Sequence, residues 1–142
     1  MSYVLEPEVA GGLGERTVWD RTGPVPRVTA LHYEVDQWLG DDLLESHPCF
    51  LATEALARAV DEAGLTGVAW GAAEVTTSDV AADLAPHQRL PPLRWLQPVG
   101  EAGRDDVALD GTGRLLCSDA AMDVLRGFHL ENCLVEPQDA AL

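Results

Sequence analysis

The sequence predicts one α+β domain, with helices packed on a mixed, mostly antiparallel sheet. Three observations lead there. Strand-period alternation dominates the chain, and helical stripes are short. The 142 residues fit a single domain, 1–142. One strand–helix–strand unit is written twice, at residues 49–75 and 114–136.

Taken in order, Tyr3 to Val9 alternates weakly and reads as an edge strand whose end Pro7 demotes. Gly11-Gly12-Leu13-Gly14 breaks the chain. A phosphate-binding loop would need a following helix, but Glu15 to Asp20 reads as extended. Thr22 to Pro26 is turn chemistry. Arg27 to Val35 is a strand with Thr29, Leu31, Tyr33 and Val35 on its apolar face. Asp36 to Ser46 is acidic, and its Trp38, Leu39, Leu43 and Leu44 suit a short amphipathic helix closed by His47-Pro48.

Cys49 to Ala52 is an apolar strand. Thr53 stands at an N-cap, and Glu54 favours the helix dipole. Leu56, Ala59, Val60 and Ala63 share one helical face, Gly64 stands at the C-terminal stop, and Leu65 to Val75 resumes as a strand. A shift of 65 residues carries Leu51 onto Leu116, Thr53-Glu54-Ala55 onto Ser118-Asp119-Ala120, Val60 onto Leu125 and Val68 onto Cys133. The second unit is then strand Arg114 to Cys117, cap Ser118, apolar face Ala121, Val124, Leu125 and Phe128, and strand Asn132 to Glu136. One such unit cannot bury both its strands and its helix stripe, so two copies on a shared sheet are expected. Between them lie a weak helix or loop over Thr76 to His87, a strand over Leu93 to Val99, and a hairpin of Asp105 to Leu109 with Arg114 to Cys117 around Asp110-Gly111. Trp70 and Trp95 are expected in the core, and Gln138 to Leu142 as disordered.

Twenty-four acids face nine bases, all arginine, for a formal charge of −15. Phosphate and anionic lipid both need a basic footprint, so nucleic acid and membrane surfaces are excluded as partners. A basic protein partner is favoured. Cys49, Cys117 and Cys133 form no CxxC pair, and Cys49 and Cys117 lie in apolar runs as buried structural thiols. With no signal peptide and no run approaching ~20 apolar residues, the expected compartment is the cytoplasm.

Catalytic signals are weak, and no cofactor is expected. His47 and Cys49 flank Pro48 without the spacing of a metal site. Asp41-Asp42-Leu43-Leu44-Glu45 has the form of a magnesium-diphosphate motif, but the chain is too short and strand-rich for that chemistry. A solvated acidic face is the simpler reading. Ser118 follows a strand and opens a helix, yet its counterpart is Thr53, as duplicated caps require and a nucleophile does not. Trp38 among Asp36, Asp41, Asp42 and Glu45 is either an aromatic anchor for a basic partner or a pin holding its segment to its own core. On the first alternative, reversing Asp41 and Asp42 to Arg would weaken binding and leave the melting temperature nearly unchanged.

The stretches Phe50-Leu51-Ala52-Thr53-Glu54-Ala55-Leu56 through Leu65-Thr66-Gly67-Val68, and Leu115-Leu116-Cys117-Ser118-Asp119 through Leu130, cover about a third of the chain. This doubled pattern resembles immunity proteins of bacterial polymorphic toxin systems, of the Myxococcus-type DUF1629 immunity group. The resemblance implies neutralisation of a cognate toxin domain by occlusion, and carries over no catalytic residue. Two alternatives stand beside it: a small metal- or ligand-using enzyme with its site near His47 and Cys49, and a subunit that forms a homodimer through an exposed strand edge.

Overall fold

The computed structural model describes residues 1–138. In chain order it contains β1 (Ser2–Glu6), β2 (Gly11–Leu13), β3 (Val18–Asp20), β4 (Arg27–Val35), β5 (Leu43–Ser46), β6 (Cys49–Thr53), α1 (Glu54–Glu62), β7 (Val68–Gly71), β8 (Ala73–Thr77), α2 (Asp79–Leu84), β9 (Leu93–Pro98), β10 (Val107–Leu109), β11 (Leu115–Ser118), α3 (Asp119–Leu125) and β12 (Leu134–Gln138). Gln138 thus closes a strand instead of opening a disordered tail, and residues 139–142 lie outside the described residues. No helix among the described residues is long and apolar enough to cross a membrane.

The strands form three four-stranded sheets: β5-β6-β9-β7, β10-β11-β1-β12, and β2-β4-β3 with β8 on the other side of β4. All pairings of named strands are antiparallel except β4 with β8. The α+β expectation stands, but the single shared sheet does not. The units at 49–75 and 114–136 lie in different sheets, and residues from Ala73 onward leave the first for the third sheet. The reason is pairing. Neither β7 nor β12 pairs with its own incoming strand; β7 pairs with β9, and β12 with β1. β1 is therefore an interior strand and not an edge.

The two sheets list corresponding parts in the same order. Leu96 on β9 faces Phe50 on one side and Trp70 on the other. Leu5 on β1 likewise faces Leu115 and Val135. Phe50 to Leu115 and Trp70 to Val135 are both steps of 65 residues. The buried helix residues keep that step: Leu56, Ala57 and Val60 in α1, Ala121, Met122 and Leu125 in α3. Ala57 and Met122 are buried in addition, whereas Ala63, the cap of α1, is exposed, and Phe128 packs on the core from beyond the end of α3. Gly64 does adopt a left-handed φ of 66° after α1.

The main core lies between these two sheets and the helices, from Leu5, Leu43 and Phe50 to Val107, Leu115 and Leu125. A second core is the far side of the first sheet, where Leu44, Leu51 and Trp95 meet Leu31, Tyr33 and Val35 of β4. β4 matches its expected span, and Leu31, Tyr33 and Val35 of the expected apolar face are buried, whereas Thr29 is exposed and His32 is buried from the other set. The glycine break is close packing against β4. A Cβ on Gly11 would stand 1.9 Å from the Glu34 carbonyl oxygen, and one on Gly14 would strike the His32 ring.

The β10–β11 hairpin forms around Asp110 as expected. Its carboxylate accepts from the Thr112 and Arg114 N–H groups at 2.8 and 2.9 Å and ion-pairs with the Arg114 guanidinium at 3.1 Å. Burial pushes the Asp110 pKa up, but these bonds outweigh it and bring it from 3.8 to about 2. A depressed folded-state pKa contributes stability above about 3.8, and that stability disappears as pH falls through 2. Asp110→Asn should therefore unfold at lower urea than the parent at neutral pH, with the two midpoints converging near pH 2. A gap that persists there would remove ionisation as the cause.

Candidate functional site

The acidic segment expected to bind a partner is not helical. Residues 36–42 are loop, and Leu43–Ser46 is β5. Its polar groups face inward. Asp41 is 1% exposed and accepts from the Glu131 N–H (3.1 Å), the Asn132 N–H (2.8 Å) and the Asn132 side-chain amide (3.2 Å). Asp42 accepts from the Thr53 hydroxyl (2.7 Å) and the His129 N–H (2.8 Å). Asp36 accepts from Ser78, the cap of α2. The Trp38 indole N–H donates to the Asp41 carbonyl at 2.8 Å, and its backbone N–H donates to the Gln88 side chain. Trp38 thus pins its own segment, the second of the two alternatives. Glu45 keeps a half-buried carboxyl whose pKa is raised, first by burial and then by the Glu6 charge.

The solvated-face reading is corrected for Asp41 and Asp42 for a physical reason. The Asp41 carboxylate is out of water and accepts two backbone N–H groups and a side-chain amide, Asp42 accepts a hydroxyl and a backbone N–H, and only Glu45 of the three has no such partner among the described residues. The sequence also missed Glu8. It is 3% exposed and accepts from the N–H groups of Leu39 (2.7 Å) and Asp41 (3.1 Å). Burial raises its pKa, those two bonds oppose the rise, and the Asp41 charge adds to it. A single Glu in a weakly alternating strand gave no sign of this role.

Asp106 repeats what Asp42 does. Its Oδ1 accepts from the Ser118 cap hydroxyl (2.7 Å), and its Oδ2 accepts from the Thr66 N–H (2.9 Å) in the loop after α1. Asp42 holds the Thr53 cap and the loop after α3. Each aspartate therefore ties one unit's helix cap to the other unit's exit loop. Thr53 and Ser118 accept from the Leu56 and Ala121 N–H groups, which accounts for both as caps.

The second candidate is an open cleft of about 680 Å³ where the three sheets meet. The β3–β4 hairpin supplies Trp19 and Val28, β9 supplies Trp95 and Gln97, and the two turns supply His47 and Thr112. Cys49 also lines it, but is 3% exposed, and burial lifts its thiol from 9.0 to about 11. That burial disfavours the thiolate a metal ligand or nucleophile needs. Cys117 is raised to about 12, chiefly by burial as well. Among the described residues, no group of three or more His, Cys, Asp or Glu comes together as a metal site.

No protein-family model, curated relative or solved structure matches this chain.

Proposed function

We propose that this chain is a protein-binding module that neutralises a basic partner by covering it, in the manner of the immunity proteins its sequence resembles. The supporting observation is the charge that remains after internal pairing. Of the nine bases, Arg16, Arg27, Arg58, Arg94, Arg104 and Arg114 already lie within 4 Å of a carboxylate. The surplus of acids therefore stays on the surface. With Asp36, Asp41 and Asp42 engaged internally, we assign the binding face to the packed α1–α3 layer, where Glu62 and Asp123 are exposed. A cytoplasmic setting goes with this reading, since the three cysteines are free thiols.

We also infer that the two units are copies of one ancestral βββαβ segment that exchange their first strands, β1 and β9. The matching registers, buried helix positions and Asp42/Asp106 staples support it.

The test is the association rate with the protein encoded beside this chain, measured by stopped flow at increasing salt. The Debye length falls from about 30 Å at 0.01 M to about 8 Å at 0.15 M. Steered binding should then slow by about tenfold or more, and Glu62→Arg with Asp123→Arg should slow it further. A complex whose formation ignores salt and both reversals, or no complex at all, overturns the reading.

A further inference from the structure

The cleft at the meeting of the three sheets carries a different chemistry from the rest of the surface. None of its sixteen lining residues is acidic, although the chain has 24 acids. Its ionisable lining groups are Arg27, exposed and 3.4 Å from Asp20, the exposed His47, and the buried Cys49, whose thiol burial raises to about 11. The Arg21 guanidinium stacks 5.1 Å from the centroid of the Trp19 ring and adds a second positive charge nearby.

The four tryptophans divide in two. The indole N–H groups of Trp38 and Trp70 donate to Asp41 and Asp61, both at 2.8 Å. Those of Trp19 and Trp95 have no acceptor among the described residues. Trp95 is only 9% exposed, and its N–H has no protein acceptor among the described residues to compete with a ligand for it. No fully buried polar atom among the described residues lacks a partner, so this N–H keeps access to solvent, and Trp95 lines the cleft. Gln97 and Thr112 add further polar groups there.

We propose that the cleft is a binding site for a small apolar carboxylate, an aromatic or branched organic acid. Its apolar body lies against Trp19, Val28 and Trp95, and its carboxylate accepts from the Trp95 N–H with Arg27 as counter-charge. The volume suits such a ligand, since small-molecule sites run from about 300 to 1,000 Å³. The missing acids matter most. The chain as a whole carries a net charge of −15, whereas this lining offers donors and a guanidinium and no carboxylate. The inference is independent of the toxin-neutralising reading, because the α1–α3 layer does not line the cleft.

The experiment titrates ¹⁵N-labelled protein with 4-phenylbutyrate and, separately, with 4-phenylbutylamine, which has the same body and the opposite head charge. Phenylbutyrate should shift the indole N–H signals of Trp19 and Trp95 saturably and leave those of Trp38 and Trp70 in place. Phenylbutylamine should bind at least tenfold more weakly, and Arg27→Glu should weaken phenylbutyrate by about tenfold. The unmoved Trp38 and Trp70 signals show that each variant is folded. Equal binding of the amine, equal shifts at all four indoles, no shift at millimolar ligand, or Trp19 and Trp95 shifts that follow protein concentration without ligand would each overturn the proposal.

Discussion

Replacing Asp41 with alanine is expected to destabilise this chain by about 3 kcal/mol. Three donors lose their acceptor, two of them backbone N–H groups of residues 131 and 132. Hydrogen bonds to a charged group contribute about 1.5–3 kcal/mol each. Relief of the repulsion that Asp41 exerts on Glu8 offsets part of the loss. At about 3 °C per kcal/mol for a domain of this size, the melting temperature should fall by about 10 °C. Asp41→Asn should recover about half of that at most, because its NH₂ group would face N–H donors. Asp41→Arg with Asp42→Arg should be worse than alanine, since it buries positive charge against donors and releases the loop after α3. This reverses the expectation drawn from the sequence, that the double reversal leaves stability untouched. A melting temperature for Asp41→Ala within about 2 °C of the parent would mean that water replaces the carboxylate without cost.

The Asp36–Ser46 segment shows what the sequence could not express. Its helical spacing was genuine, but the partners of its carboxylates lie at residues 129–132, about ninety positions later. Periodicity reports only on neighbours within a turn or a strand. Where the partners are local, the reading was sound. Thr53 and Ser118 cap their helices, β4 spans Arg27 to Val35, Asp110 organises its hairpin, and Cys49 and Cys117 are buried. Trp95 is buried as expected, whereas Trp70 stays half-exposed with its N–H on Asp61. The pairing of β7 with β9 and β12 with β1 escaped detection for the same reason as Asp41, since strand order depends on chain segments far apart. The cleft was half legible. His47 and Cys49 pointed to one side of it, but Trp95 and Gln97 come from the neighbouring strand β9, more than forty positions later, and Trp19 comes from another sheet.

The seam between the two halves yields the other large effect. Gly67 opens β7 with φ of 85°, and a Cβ there would stand 2.1 Å from the Val107 carbonyl oxygen. Across the seam the Val107 N–H donates to the Thr66 carbonyl at 3.0 Å, and the Val99 N–H donates to the Gly67 carbonyl at 2.9 Å. A Cβ on Gly100 would stand 2.2 Å from the same Val107 oxygen, with no left-handed φ. Gly103 has φ of 82° and open space around it. These three positions separate backbone strain from collision. Gly103→Ala should cost about 1–2 kcal/mol, the penalty of a left-handed alanine alone. Gly100→Ala should cost about 2–3 kcal/mol, because a backbone oxygen cannot rotate away as a flexible side chain would. Gly67→Ala combines both and should cost about 4 kcal/mol, enough to unfold a chain of marginal stability at moderate urea. Urea midpoints for the three variants would check the order. If Gly67→Ala costs no more than Gly103→Ala, the seam is loose enough to open by the width of a methyl group. The Asp42 and Asp106 staples, and not close backbone contact, would then hold the halves together.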